Sequence, residues 1–251
     1  MNIHSLYQRI RKARLWWLPR PNKLLYEHIP KCGGTSVSNF LRSQYHTNRT
    51  FWLDGSNPVQ SINEFKAMPE AQRHAYDLII GHRAFELRDF CHPEMSKATI
   101  FREPIDRIIS HYYFVRRKTD HYLHEQVTKQ NMSLLDYATT GVSTELRNNY
   151  VARFLSISAE EAEKEPEVSV NQAFAFIQRT FSCVGILDRL DEAATAIAQQ
   201  VSVPDAWQPT YLNQTSNRPQ LDSVDDTTLQ AIREVNGLDV ALFDKIRAIA
   251  L

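Results

Sequence analysis

Short apolar segments alternate with stretches of helical periodicity along this chain of 251 residues. Apolar runs of this length are typical of strands that are buried on both faces, and their alternation with helices predicts a parallel sheet. We therefore expect an α/β fold, a parallel β-sheet flanked by helices, with a second half that is mostly helical. The segments that we interpret as strands are 24–29, 76–82, 97–101 and 182–186.

Helical patterns occupy most of the remaining chain. Pro104 favours the first turn of a helix, since its fixed backbone angle suits that position. Residues 160–167 have the composition of a charged, proline-containing connection, and 44–75 are expected to form a loop or short helices. The predicted helices begin near residue 34 and at 104, cover most of 120–180 (including 143–155 and 171–180), and continue over 188–200, 224–235 and 238–249.

Composition excludes several classes of protein. Lys plus Arg and Asp plus Glu both number 29, and the resulting zero net charge disfavours a generic nucleic-acid-binding surface. The three cysteines form neither a disulfide framework nor a CxxC metal motif, and they are typical of a reducing compartment. No stretch approaches the ~18 consecutive apolar residues of a membrane span. We expect a cytoplasmic protein without a nucleic-acid partner.

The first 23 residues are basic, with Trp16 and Trp17 behind several cationic side chains. They lack the apolar core of a signal peptide. Two interpretations stay open: an arm or helix packed on the protein, or an amphipathic helix that contacts the inner face of a membrane. We expect residues 1–23 to form this arm and 24–251 to form a single domain.

A glycine-containing loop after the first predicted strand has the composition of an anion site. Its glycines permit close approach of the backbone, and the following helix directs its positive end at the loop. A lysine adds a mobile cation. The order differs from the Walker A motif, in which the lysine follows the second glycine, and an ordinary strand-to-helix turn is the alternative. The loop consists of Lys31, Cys32, Gly33, Gly34, Thr35 and Ser36.

Two other predicted strands are also followed by groups that can bind anions or carry protons. His82 ends the second strand, Arg102 follows the third, and Ser110 lies two helical turns farther on. Because ligands of parallel sheets bind beyond the carboxyl ends of the strands, we expect Lys31, His82 and Arg102 to converge on one pocket. The alternatives are a hydrogen-bonded core histidine and an arginine paired with an acidic neighbour. Glu27 lies close by, where it could contact a ligand or make a local ion pair.

These segments resemble motifs of the sulfotransferase family that includes the heparan sulfate 2-O-sulfotransferases. Residues 26–36 (YEHIPKCGGTS) resemble its 5′-phosphosulfate-binding loop, and 100–113 (IFREPIDRIISHYY) resemble its 3′-phosphate-binding strand and helix. Gly81-His82 lies between them, where the family carries a catalytic histidine. Segments 146–155 and 183–186 also look like family segments, so the resemblance extends from about residue 24 to about residue 216.

The resemblance implies a P-loop-like sulfotransferase fold and a sulfuryl donor, 3′-phosphoadenosine 5′-phosphosulfate, which leaves as adenosine 3′,5′-bisphosphate. It implies His82 as general base and Lys31 as the cation that stabilises the leaving oxygen. The acceptor would be a hydroxyl of a glycan or glycolipid. By the same resemblance, the 5′-phosphosulfate would be held by Lys31, Cys32 (a Thr in many members), Gly33, Gly34, Thr35 and Ser36, the 3′-phosphate by Arg102 and Ser110, and the nucleotide would be covered by Asn213, Thr215 and Ser216.

Two other functions stay open. A P-loop-type nucleotide kinase or phosphotransferase would need a Walker lysine and an acid that holds a metal, and the sequence displays neither motif. We therefore expect no metal. A non-catalytic nucleotide-binding domain is the second alternative. Trp52, Trp207 and Tyr211 are candidate stacking faces for adenine or a sugar.

Overall fold

The computed structural model describes residues 17–209 and 221–250, and it confirms the expected α/β fold with a parallel sheet flanked by helices. The five strands of the sheet are β1 (Leu24–Glu27), β2 (Thr50–Trp52), β3 (Leu78–Gly81), β4 (Ser96–Phe101) and β5 (Cys183–Ile186). Their order is β2-β3-β1-β4-β5, so β1 is the central strand.

Helices connect the strands and make up most of the second half of the chain. In chain order they are α1 (Gly34–Gln44), α2 (Pro58–Ala67), α3 (Glu70–His74), α4 (Pro104–Arg117), α5 (His124–Lys129), α6 (Leu134–Thr139), α7 (Asn149–Leu155), α8 (Ala159–Ala162), α9 (Pro166–Thr180), α10 (Leu190–Gln200), α11 (Asp226–Val235) and α12 (Gly237–Ile249).

The described chain divides into two compact units. The sheet unit consists of residues 17–100 and 181–209, and the helical unit consists of 101–180 and 221–250. The expected arm over 1–23 and single domain over 24–251 stay predictions, and residues 1–16 of that arm lie outside the described part.

The central strand is covered on both faces, which explains its continuous apolar sequence. Leu24 and Tyr26 pack in one core cluster with side chains of α1 and α10. Leu25 points the other way, into a cluster that includes Ile62 and Phe65 of α2. This alternation follows from the two-residue period of a strand.

Parallel pairing aligns the ends of the strands that precede the candidate site residues. β1 pairs with β3 from Leu24↔Leu78 to Glu27↔Gly81, and it pairs with β4 as far as Glu27↔Thr99. The loop that follows β1 and the residues that follow β3 therefore start at the same edge of the sheet. This is the edge at which parallel sheets bind ligands.

In the helical unit, α7 and α12 cap each other. The buried Asp239 carboxylate accepts hydrogen bonds from the backbone amides of Tyr150 (2.9 Å) and Val151 (3.0 Å), in the first turn of α7. In return, the side-chain oxygen of Asn148 accepts from the amide of Leu238 at 3.0 Å. These bonds satisfy amides that have no partner within their own helix.

The structure corrects three details of the predicted elements. The helix predicted over 143–155 is wrong, because Asn148 adopts a left-handed backbone (φ 42) and separates a 3₁₀ turn, Thr144–Leu146, from α7. The segment 44–75 contains the edge strand β2, which was missed because three residues, none of them buried, are too few to display a strand period. The connection over 160–167 includes part of α8, and α9 begins at Pro166.

Candidate active site

The loop after β1 is tightly wound. Lys31 and Gly33 both have left-handed backbone angles, with φ 68 and φ 76. Such a conformation costs a residue other than glycine ~1–2 kcal/mol, so the surrounding structure must hold Lys31 in it. Gly33 is required for a second reason: a Cβ atom there would lie 2.6 Å from Cδ1 of Leu187. The loop therefore follows a path that its sequence is specialised to adopt.

Helix α1 directs its positive end at this loop. Gly33 is its N-cap residue and has no side chain with which to cap the first turn, and Gly34, Thr35 and Ser36 carry no negative charge. The dipole and amides at this helix start are therefore not neutralised by acidic side chains of its own first turn. This arrangement, with the half-buried Lys31 beside it, fits a phosphate or sulfate group.

The side chain of Cys32 is turned into the protein. It is 1% exposed, and its Sγ lies 3.6 Å from the carbonyl oxygen of Pro30. An anion in the loop would meet the backbone of Cys32 rather than the thiol. The difference between cysteine and the threonine of many family members therefore does not alter the groups offered to a ligand.

His82 has the geometry of a general base. It follows β3 and is half-buried, and its Nδ1 lies 2.6 Å from the carbonyl oxygen of His28. A carbonyl oxygen can only accept, so Nδ1 carries the proton. In the neutral ring Nε2 is then the nitrogen that can take a proton from a hydroxyl group.

The ring of His28 joins His82 to the glycine loop. The two imidazole centroids are 4.5 Å apart, with an angle of 37° between the ring planes. On its other side, the His28 ring occupies the place of a side chain at Gly34, where a Cβ would lie 2.0 Å from its Cδ2. The structure thus brings His82 close to the start of α1 through the ring of His28.

The segment after β2 forms another part of the surroundings of His82, which sequence reasoning missed. A methyl group built at Gly55 would lie 3.2 Å from Cδ2 of His82. The same segment approaches Gly81, where a Cβ would lie 2.9 Å from the carbonyl oxygen of Leu53. The signal in the sequence was slight: two glycines in a chain that has only seven.

Arg102 and Ser110 belong to the helical unit. Arg102 directly follows β4 and is 9% exposed, and its Nε donates to Oδ2 of Asp106 at 2.6 Å. The local ion pair considered as an alternative is therefore present. Tyr150, in the segment 146–155, donates its hydroxyl to the carbonyl oxygen of Arg102 at 2.8 Å. Ser110 is buried in α4. Phosphate binding by Arg102 and Ser110, and their convergence with the loop, stay predictions.

Of the three candidate stacking residues, Trp52 is the one that the described part of the chain shows to be exposed. It is 57% exposed at the end of β2, with the guanidinium of Arg42 4.1 Å from the ring centroid. Trp207 is wrong as a stacking face, because it is buried and its Nε1 donates to Asp191 at 2.9 Å. Tyr211, Asn213, Thr215 and Ser216 lie outside the described residues.

Two features are absent from residues 17–209 and 221–250. In those ranges, His, Cys, Asp and Glu side chains do not gather in groups of three that could hold a metal ion. Within the same ranges, no helix combines the length and the apolar composition that a membrane crossing requires.

Comparison with known proteins shows the family of this chain. Residues 16–245 match the model of the sulfotransferase family, which is most of the chain, and the protein therefore belongs to that family. Its enzymes take the sulfuryl group from 3′-phosphoadenosine 5′-phosphosulfate. The chain is also similar to the heparan sulfate 2-O-sulfotransferase hst-2 of Caenorhabditis elegans, with 26% identity over 117 residues. That match covers 42% of this chain and 35% of the relative, so it spans about a third of the relative's length.

The contact between Gly34 and His28 predicts the effect of a single methyl group. Gly34→Ala should lower the free energy of unfolding by about 1–3 kcal/mol, because the new Cβ and the His28 ring cannot both keep their places. Urea unfolding measures the change. The matched control is Gly237→Ala at the first residue of α12, where a Cβ meets nothing within 4 Å. Equal stability of the two variants would contradict this packing.

Proposed function

We propose that this protein transfers a sulfuryl group from 3′-phosphoadenosine 5′-phosphosulfate to a hydroxyl group of a carbohydrate acceptor. The observation that carries the proposal is the orientation of His82. Its Nδ1–H donates to the His28 carbonyl, and its ring lies one imidazole away from the glycine loop. A proton acceptor next to an anion cradle is what transfer of an anionic group to a hydroxyl requires. Membership of the sulfotransferase family supports the same reaction.

The residues of the sheet unit divide the work. The donor, when bound, supplies a sulfuryl group attached to a phosphate, and this phosphate is the leaving group of the transfer. The backbone of Lys31–Ser36 and the positive end of α1 hold the negative oxygens in a fixed field. The ammonium of Lys31 stabilises the charge that grows on the leaving oxygen. His82 accepts the proton of the acceptor hydroxyl at Nε2, while its Nδ1–H keeps the ring in place.

The helical unit would hold the 3′-phosphate through Arg102 and Ser110. Asp106 binds the Nε edge of the guanidinium and so limits the orientations of Arg102. Tyr150 fixes the main chain of the same residue. An arginine held in this way loses less side-chain entropy when it binds a phosphate. Asn213, Thr215 and Ser216 are part of the proposal as residues that cover the nucleotide.

A carbohydrate acceptor is supported by two observations. The relative from Caenorhabditis elegans is named for a polysaccharide, heparan sulfate. In this chain, the guanidinium of Arg42 lies over one face of the Trp52 ring, and the exposed remainder of the ring is an apolar surface of the kind on which sugar rings stack. We include a glycan or a glycolipid in the proposal. The cytoplasmic location and the contact of the basic arm with the inner face of a membrane belong to it as well.

The other two functions make different predictions in binding experiments. A P-loop kinase would bind ATP with Mg²⁺, whereas a sulfotransferase would bind adenosine 3′,5′-bisphosphate without a metal. A non-catalytic domain would bind the nucleotide but would not sulfate any acceptor. Titration calorimetry with both nucleotides, followed by a mass-spectrometric screen of sugar acceptors with labelled donor, distinguishes the three. The proposed function fails if the bisphosphate does not bind.

Removal of the base should affect turnover and not binding of the sulfuryl donor. His82→Ala should lower kcat by about 10²–10⁴-fold, the usual contribution of a general base. Lys31→Ala should lower kcat by roughly 10²–10³-fold, since it removes one preorganised charge. Affinity for adenosine 3′,5′-bisphosphate should stay unchanged in His82→Ala and fall in Lys31→Ala. His92→Ala, at a turn before β4, is the matched histidine control. Loss of nucleotide affinity in His82→Ala, with the fold intact, would argue against a base.

Arg102 should distinguish nucleotides by their 3′-phosphate. Arg102→Ala should weaken binding of adenosine 3′,5′-bisphosphate roughly 10–100-fold, because it removes a charged hydrogen-bonding partner. Binding of adenosine 5′-phosphate, which lacks that group, should not change. Calorimetry of both nucleotides measures the ratio, with Arg117→Ala at the exposed end of α4 as the control. An unchanged ratio would refute the assignment.

Trp52 should contribute to binding of the acceptor and not to binding of the sulfuryl donor. Trp52→Ala should raise KM for the sugar acceptor roughly 3–10-fold, the loss of one aromatic contact, without an effect on KM for the sulfuryl donor. Tyr122→Ala removes an aromatic side chain of the helical unit that is 69% exposed, and it serves as the matched control. A larger effect on the nucleotide than on the acceptor would identify Trp52 as an adenine platform instead.

A further inference from the structure

We infer that Glu27 is a positioning residue for His82. Its buried carboxylate holds the main chain that follows the histidine and thereby selects which ring nitrogen carries the proton. The expected effect on turnover rests on the proposed function. The effect on the imidazole does not, since it can be observed without substrate.

Glu27 is a charged residue in a place where charge is costly. It ends the central strand β1, directly after the buried residues Leu24, Leu25 and Tyr26, and is itself 0% exposed. A buried carboxylate is tolerated only when hydrogen bonds replace its hydration. Both oxygens accept such bonds from main-chain amides: Oε1 from Arg83 at 3.2 Å and Oε2 from Phe85 at 3.0 Å.

These two amides belong to the turn that follows His82 in the chain. Arg83 has a left-handed backbone (φ 64) and leads into a 3₁₀ turn, Ala84–Leu87. The conformation costs ~1–2 kcal/mol in a residue that is not glycine. The Glu27 carboxylate bonds to amides on both sides of Ala84, within this bend. It therefore stabilises the direction in which the chain leaves His82.

Glu27 is itself held firmly. The hydroxyl of Thr99 donates to its carbonyl oxygen at 3.0 Å, and both residues are fully buried. On the other side, the amide of His28 donates to the carbonyl oxygen of Gly81 at 3.0 Å. The main chain on either side of His82 is thus tied to the end of β1, through Gly81 before it and through the Glu27 carboxylate after it.

The position of the His82 main chain affects the position of the ring proton through the hydrogen bond between Nδ1 of His82 and the carbonyl oxygen of His28. At 2.6 Å it requires the main chain of His82 to stay in place. If the turn after His82 relaxes, the ring can carry its proton on either nitrogen. A neutral ring with its proton on Nε2 presents a donor there and cannot accept the proton of a hydroxyl at that atom. Glu27 therefore raises the fraction of His82 that is competent as a base.

The matched control lies on the same turn. Glu86 also carries a carboxylate there, but its bonds are to the guanidinium of Arg83 rather than to main-chain amides. Glu86→Gln removes a charge at nearly the same place and leaves both amide bonds of Glu27 intact. It should retain the turnover and the ring tautomer of the unaltered protein.

The test is Glu27→Gln, which preserves size but leaves one acceptor oxygen for two amides. In the full chain labelled with ¹⁵N-histidine, the His82 ring should be protonated at Nδ1 in the unaltered protein and should become a mixture of tautomers in Glu27→Gln. His82→Asn identifies the signals. Turnover should fall about 10–100-fold, a part of the general-base contribution, while affinity for adenosine 3′,5′-bisphosphate is unchanged.

Each outcome bears on the inference. A Glu27→Gln variant whose His82 signals match the unaltered protein would overturn it, even if stability falls, because Glu27 would then be structural only. A changed tautomer in a protein that sulfates nothing would support it while the proposed function fails. If Glu27→Gln does not fold, Thr99→Val removes the hydroxyl that holds the Glu27 main chain. It should shift the tautomer in the same direction by less, and an unchanged ring would overturn the inference.

Discussion

The parallel pairing of β1 with β3 is the constraint on which the site depends. With Glu27 opposite Gly81, the two strands end at the same level, and the residues that follow them must share one edge of the sheet. Every contact of His82 with the end of β1 follows from this register. A slip of one residue would turn the His82 ring to the other face of the sheet, away from His28 and from α1.

Close packing against the main chain explains the use of glycine around the candidate active site. Four of the seven glycines in the chain surround the candidate active site: Gly33, Gly34, Gly55 and Gly81. At three of these positions a Cβ would come within 3.0 Å of another atom. The space that a side chain would need is occupied by Leu187 at Gly33, by the His28 ring at Gly34 and by Leu53 at Gly81. Glycine at these positions lets neighbouring groups pack directly against the main chain, and a main chain without side chains at Gly33 and Gly34 suits recognition of an anion by amides.

The sequence predicted those parts of the fold that local chemistry governs. The four strand segments were confirmed because each is a continuous apolar run, and α1 and α4 because a glycine loop and a proline mark their starts. β2 was missed, since a short edge strand has no pattern of its own. The helix over 143–155 was broken by a side chain that caps a helix 90 residues away in the chain. Trp207 was wrongly included among the stacking candidates, because the residue type alone does not reveal whether an indole is buried or exposed.

For the site, the sequence by itself determined which groups are available: a lysine and two glycines before a helix, a histidine after a strand, and an arginine after another. These follow from residue types and their order, and they suffice to identify the family. Only the tertiary structure decided which nitrogen of His82 carries the proton and what the carboxylate of Glu27 binds. Both depend on contacts between residues more than 50 positions apart in the chain. Such contacts are set by the register of the sheet, and no local pattern in the sequence encodes them.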